Sequence, residues 1–197
     1  MTASSASLDA CALPLAALLH ADDCHDMDAL LERVARRLMA AGWQVGGLVF
    51  RMDYYANGNK RMRLFDLRSD AEFELSQDLG AASDACSLNP QAIAQASAVL
   101  RQALADQVQL MLVNRFGQVE ALGGGFAQEF AACVEAGLPV LTAVAQRHAS
   151  EWQRFTGDAH CTLAGDEETV HAWCVQQLQA QKQAQKQAQD QAAKAAR

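Results

Sequence analysis

The sequence predicts an α/β domain: a mostly parallel central sheet flanked by helices. Three observations lead there. Continuous apolar runs over 13–20, 45–52, 110–113 and 138–144 suit strands buried on both faces. Amphipathic segments over 27–40, 90–105 and 126–136 separate them, the alternation expected of βαβ units. Hydrophobic residues make up 51% of the 197 and charged residues 20%, enough apolar material for a buried core.

The elements follow in order. Residues 1–10 are small and polar and read as a disordered N-terminus, before a single domain over 11–178. The run at 13–20 is the first strand. The helix over 27–40 puts Leu30, Leu31, Val34 and Leu38 on one face and Arg33, Arg36 and Arg37 on the other, with Asp26 or Asp28 to cap it and Gly42 to end it. A second strand spans 45–52. Residues 61–67 and 71–77 alternate polar and apolar around Arg68-Ser69-Asp70, the pattern of an antiparallel hairpin insert with one wet face. Asn89-Pro90 opens a helix to about 105, with Ile93, Val99, Leu100 and Leu104 inward. A strand at 110–113, a glycine-rich loop, a helix over 126–136 and a strand at 138–144 come next. A short helix at 150–155, an edge strand at 161–163 and a helix from Glu167 burying Val170, Trp173, Cys174 and Leu178 complete the domain. The tail over 179–197 is rich in Ala, Gln and Lys and lacks an apolar stripe, so it reads as a solvated helix or as disordered chain.

Charge and composition exclude several functions. The chain carries 16 Lys+Arg against 23 Asp+Glu, and four of those basic residues lie in the tail. A body this acidic repels phosphate backbones, so no nucleic-acid partner is expected. No apolar run reaches the roughly 18 residues of a membrane span, and 11–19 lacks the basic flank of a signal peptide. The expected location is cytoplasmic, with the six cysteines reduced and mostly packed as small core residues.

Two places carry candidate chemistry. After the first strand, where a phosphate-cradling loop would supply Gly, Lys and Ser/Thr, the chain reads Ala21-Asp22-Asp23-Cys24-His25-Asp26-Met27-Asp28. His20, Cys24 and His25 are candidate zinc ligands, but their spacing matches no standard metal site, and a solvated acidic loop is the plainer reading. At the carboxyl end of the strand at 110–113 stand Asn114, Arg115, Phe116 and Gly117, where open α/β sheets bind ligands. One reading makes Arg115 an anion clamp and Asn114 a hydrogen-bond donor. In it Gly123, Gly124 and Gly125, with the helix that follows, present backbone N–H groups. The other pairs Arg115 with an acid from 22–28. His160-Cys161 and His171 with Cys174 suggest thiol chemistry, but core packing is the commoner use of such cysteines. Tyr54-Tyr55 and the stripe of Arg61, Arg63 and Arg68 could meet a partner or form a wet face.

Val113-Asn114-Arg115-Phe116-Gly117-Gln118-Val119-Glu120-Ala121, followed by Gly123 and Gly125-Phe126, resembles the signature of uncharacterised bacterial proteins often encoded beside molybdate-uptake genes. Ser76-Gln77-Asp78-Leu79-Gly80, Pro139-Val140-Leu141-Thr142-Ala143-Val144, Trp152 and Phe155 add to the likeness, which covers about residues 12–175. That family is similar to small thermophile-type P-loop nucleoside-triphosphatases in degenerate form. The resemblance implies a P-loop NTPase-like fold without a functional phosphate loop: the Walker A Lys and Ser/Thr are absent, and Asn114 and Arg115 replace the acidic pair that would hold magnesium. Gln118 replaces the family's usual Lys. No catalytic residue and no Mg-nucleotide are expected. The implied role is a non-hydrolytic accessory protein in molybdate or molybdenum-cofactor metabolism, binding a molybdate-type oxyanion or a phosphate-bearing small ligand. Its site residues would be Asn114, Arg115, Gly117, Gly123, Gly124 and Gly125. The alternatives are a catalytically dead module that contacts a molybdenum-pathway protein through the hairpin, and a residual nucleoside-triphosphatase.

Overall fold

Side chains alternate across a strand, so a run apolar on both faces must be covered twice. The computed structural model describes residues 12–21, 26–76 and 88–195. Its strands are β1 (Leu15–His20), β2 (Val45–Tyr54), β3 (Lys60–Asp66), β4 (Glu72–Glu74), β5 (Leu110–Val113), β6 (Val140–Ala145) and β7 (Cys161–Leu163). They form one sheet in the order β4-β3-β2-β5-β6-β1-β7, parallel from β2 to β7. Its helices are α1 (Asp26–Ala40), α2 (Pro90–Ala105), α3 (Gln118–Ala121), α4 (Ala127–Glu135), α5 (Ala149–Thr156) and α6 (Glu167–Ala195). Leu15, Ala17, Met111, Val113, Val140 and Val144 share one core with α2, α4 and α5. Their sequence neighbours Ala16, Leu18, Leu110, Leu112, Leu141 and Ala143 share the other with α1 and α6.

Asn89 caps α2 as its sequence predicts, accepting from the amides of Gln91 and Ala92. The face α2 buries differs from expectation. Ala92, Ala96, Leu100 and Ala103 are buried, while Ile93, Val99 and Leu104 are only partly so. The cause is close approach: a Cβ on Gly46 of β2 would lie 2.8 Å from the Cβ of Ala103, so only small residues fit along that contact.

The hairpin insert is larger than the sequence suggests. β3 pairs antiparallel with β2 from Leu48↔Asp66 to Tyr54↔Lys60, as well as with β4, giving a three-stranded meander. Beyond Phe50, β2 leaves the doubly covered region, and its outer residues are exposed or half-buried. The stripe of Arg61, Arg63 and Arg68 is ion-paired, with Glu72 and Glu74, with Asp53 and Glu72, and with Asp106 respectively. Tyr55 donates its hydroxyl to Glu74 at 2.5 Å, which leaves Tyr54 as the exposed tyrosine of the pair.

α6 buries Val170, Trp173, Cys174 and Leu178 as expected. It then continues as helix through the Ala/Gln/Lys-rich tail, and the residues from 186 onward with a described exposure are exposed. Lys182 stacks its ammonium 3.9 Å from the Trp43 ring centroid. Among the described residues no helix is long and apolar enough to cross a membrane. The expected N-terminal segment 1–10 lies outside the described residues.

Two predictions follow from this packing. Gly47 has φ +126, and a Cβ there would lie 2.0 Å from the Leu112 carbonyl oxygen. Gly47→Ala should therefore cost roughly 2–4 kcal/mol from overpacking plus strain, read as a melting point lower by roughly 4–16 °C. An unchanged melting point would refute this account of the β2–β5 contact. Arg61, Tyr55 and Ser76 hold the Glu74 carboxyl down to about 2 by hydrogen bonding, the Arg61 bond being the largest cause. Because that folded value lies below the ordinary one, the stabilisation is complete above about pH 4.5 and is lost as the pH falls toward about 2. The urea midpoint of the native protein should fall more steeply across that window than that of Glu74→Gln, and parallel curves would contradict it.

Candidate ligand-binding site

β5 is four residues long and wholly buried, and the chain leaves the sheet at Asn114. The Asn114–Arg115 peptide is cis. Phe116 then rejoins the sheet edgewise, its amide donating to the Ala143 carbonyl at 3.1 Å. Asn114 is 1% exposed and donates Nδ2 to Oδ1 of Asp28 at 2.8 Å. Arg115 donates Nη2 to the other oxygen of the same carboxylate at 2.5 Å, and its guanidinium lies 4.5 Å from the Phe50 ring centroid. Asp28 sits in the first turn of α1 and is itself buried. Of the two readings of Arg115, the ion pair with an acid from 22–28 is therefore formed. Asp28 joins the start of α1 to the end of β5.

The loop from Gly117 to Phe126 is closed on itself. Glu120 accepts from the Gly117 amide at 3.0 Å and from the Phe126 amide at 3.2 Å. Burial pushes its carboxyl above the ordinary range, against those backbone bonds. Gly125 has φ +53, and a Cβ there would lie 2.0 Å from the Glu120 Oε1, so only glycine lets the carboxylate in. The Gly123 and Gly124 amides donate to the carbonyls of Glu120 and Val119. This loop, expected to offer N–H groups to an external anion, already holds the chain's own carboxylate.

Between the meander, α2 and the ends of β5 and β6 lies a cavity of about 280 Å³. Asn114, Arg115, Gly117 and Gly125 line it, whereas Gly123 and Gly124 do not. Sequence reasoning missed Arg147 and His148, which follow β6 as Arg115 follows β5, and which the strand-end rule would have found. It also missed the apolar wall of Phe50, Met62, Leu64, Leu75, Leu88 and Ile93. Glu120 was visible in principle, since an acid three residues after a helix N-cap is the capping-box spacing.

The metal candidates are not brought together in what is described. His20 ends β1 with Nδ1 2.7 Å from the Ala21 carbonyl oxygen, and Cys24 and His25 lie outside the described residues, as does most of the expected phosphate-loop position. Among the described residues no three His, Cys, Asp or Glu side chains are placed to share a metal ion. Burial pushes the Cys133 and Cys174 thiols up to about 12, so neither supplies a thiolate nucleophile at neutral pH. Cys161 is disulfide-bonded, which corrects its reading as a reduced core residue.

The Asp28 pairing gives a test of what holds this site. Arg115→Ala strands a buried carboxylate with one amide partner, which should cost about 3 kcal/mol and lower the melting point by roughly 6–12 °C. The double variant Asp28→Asn/Arg115→Gln replaces the ion pair with two neutral amides and should recover most of that loss. A double variant as unstable as the single one would refute the pairing as the cause.

The structure is similar to the solution structure of a human cancer-related nucleoside triphosphatase, with a TM-score of 0.59 and 15% identity, covering 84% of this chain and 95% of that one. The two share a fold. Over 149 residues, 75% of the chain, the sequence is 36% identical to the molybdenum import ATP-binding protein ModC 2 of Bradyrhizobium diazoefficiens, and it spans only 17% of that relative's length. The profile of the family described as protein of unknown function (DUF2478) matches residues 15–173, nearly the whole folded body, and the chain belongs to that family.

Proposed function

We propose that the chain is a non-hydrolytic accessory protein in molybdate or molybdenum-cofactor metabolism, holding a phosphate-bearing small ligand at the carboxyl ends of β5 and β6. One observation carries the reading. The cavity is lined by Asn114 and Arg115, and among the described residues the buried Asn114 Oδ1 and Arg115 Nε find no hydrogen-bond partner. An unpaired buried polar atom costs about 1–3 kcal/mol, and a ligand with the complementary groups removes that cost. Arg115 Nε would donate to the anion and Asn114 Oδ1 would accept from a protonated oxygen of it, beside the lining residues Gly117 and Gly125. Gly123 and Gly124 act at one remove, by shaping the loop that Glu120 closes.

The pathway rests on the relative whose name specifies molybdenum import. A magnesium–nucleotide does not fit the residues at the end of β5. Magnesium takes carboxylate and water oxygens, whereas here an amide and a guanidinium occupy the strand end and bind the Asp28 carboxylate, and Glu120 accepts from the loop amides. That donor set favours binding over hydrolysis. The ion-paired arginines of the meander weigh against the hairpin as a docking patch for an acidic partner.

Thermal unfolding with inorganic phosphate, molybdate and Mg-ATP, each at millimolar concentration, tests the proposal. A ligand at about 100 times its dissociation constant adds roughly 2.7 kcal/mol, a rise of roughly 5–11 °C here. Phosphate or molybdate should raise the melting point of the native protein and not that of Asp28→Asn/Arg115→Gln. A rise with Mg-ATP alone, accompanied by phosphate release, would overturn the non-hydrolytic reading.

A further inference from the structure

The cavity has two unlike halves. Asn114, Arg115, Arg147 and His148 lie toward the strand ends, and Arg147 donates Nε to the His148 ring at 3.2 Å. The rest of the lining is largely hydrocarbon: Met62 and Leu64 from β3, Leu75 after β4, and Leu88 and Ile93 at the start of α2. We propose that the ligand is a small organic phosphate monoester with an apolar, ring-like body, seated with its phosphate at Arg115 and its body against the meander wall, rather than an inorganic oxyanion. The proposal rests on the binding reading above and names the substrate class of that site.

Three observations support it. A bare tetrahedral dianion would fill only part of the cavity and leave the half-buried Met62, Leu88 and Ile93 uncovered, while its own outer oxygens would lose hydration against hydrocarbon. An apolar body covers that wall and gains its burial. Among the described residues the fixed charges agree: the Arg115 guanidinium is already paired with Asp28, and the Glu120 carboxyl stands in the same lining. Finally, the two unpaired atoms differ in kind. Asn114 spends Nδ2 on a carboxylate, so the atom left over is its carbonyl oxygen, and it calls for a donor. Arg115 Nε calls for an acceptor. A monoester carrying one protonated oxygen supplies both from one group. The volume, about 280 Å³, lies near the lower end of small-molecule sites, which suits one ring with its phosphate.

The measurement is isothermal titration of the full chain with phenyl phosphate, inorganic phosphate and molybdate. Phenyl phosphate should bind at least about tenfold tighter than either inorganic ion. Ile93→Gln and Met62→Gln, each at a half-buried position, should bring the affinity for phenyl phosphate down to that for inorganic phosphate. Equal affinity for phenyl phosphate and inorganic phosphate would overturn this inference and leave the binding site standing. Phenyl phosphate binding that is unchanged in Asp28→Asn/Arg115→Gln, or absent together with phosphate binding, would overturn both.

Discussion

The carboxylate of Asp28 is the point on which the upper end of the sheet is assembled. It belongs to the first turn of α1, yet its two partners, Asn114 and Arg115, follow β5, which the sheet order separates from β1 by β6. One side chain therefore ties the start of α1 to the end of β5. A buried carboxylate bonded on both oxygens is intolerant of small displacements, because each lost bond leaves a charge without compensation. That intolerance fixes where α1 begins relative to where β5 ends. Phe50 extends the same arrangement to β2 by stacking on the guanidinium. The floor of the cavity is thus determined by one electrostatic contact and one aromatic contact. Its apolar wall is set separately, by how the meander lies on α2.

The glycine-rich loop shows how a sequence suited to anion binding can be satisfied internally. Clustered glycines commonly free backbone amides for a phosphate. Here Gly117 and Phe126 direct theirs at Glu120, and Gly125 supplies the space that the carboxylate occupies. A desolvated carboxylate facing convergent amides occupies the position a bound anion would take in a relative that lacked the acid. The two hydrogen bonds to Glu120 tie both ends of the loop to one side chain.

Much of this architecture was legible in the sequence wherever burial was symmetrical. β1, β5 and β6 are uninterrupted apolar runs because both faces are covered, and the Asn-Pro start of α2 and the edge strand at Cys161 to Leu163 obey local chemistry. What escaped notice depends on contacts distant in sequence. The outer half of β2, from Arg51 to Tyr54, has a mixed pattern because its partner is the wet strand β3, and no local signal announces that pairing. Ala103 reads as filler in a helical wheel, and the missing side chain of Gly46 explains why it is buried there. At the site, the rule of strand ends located Asn114 and Arg115. Choosing between ligand and carboxylate for Arg115 required knowing that α1 begins within reach. Met62, Leu64 and Ile93 carry no sequence mark of a binding wall, since each belongs equally well to a core.

The far end of α6 has a bearing on how the molecule behaves in solution. Beyond Leu178 the helix continues to Ala195, about 25 Å at 1.5 Å per residue, with little hydrocarbon to bury. A sphere with a rod attached experiences more friction than a sphere of equal mass. The 21.2 kDa chain should diffuse slowly and leave a gel-filtration column early, so an elution volume typical of a dimer would be consistent with a monomer. Light scattering, which weighs particles independently of their drag, distinguishes the two.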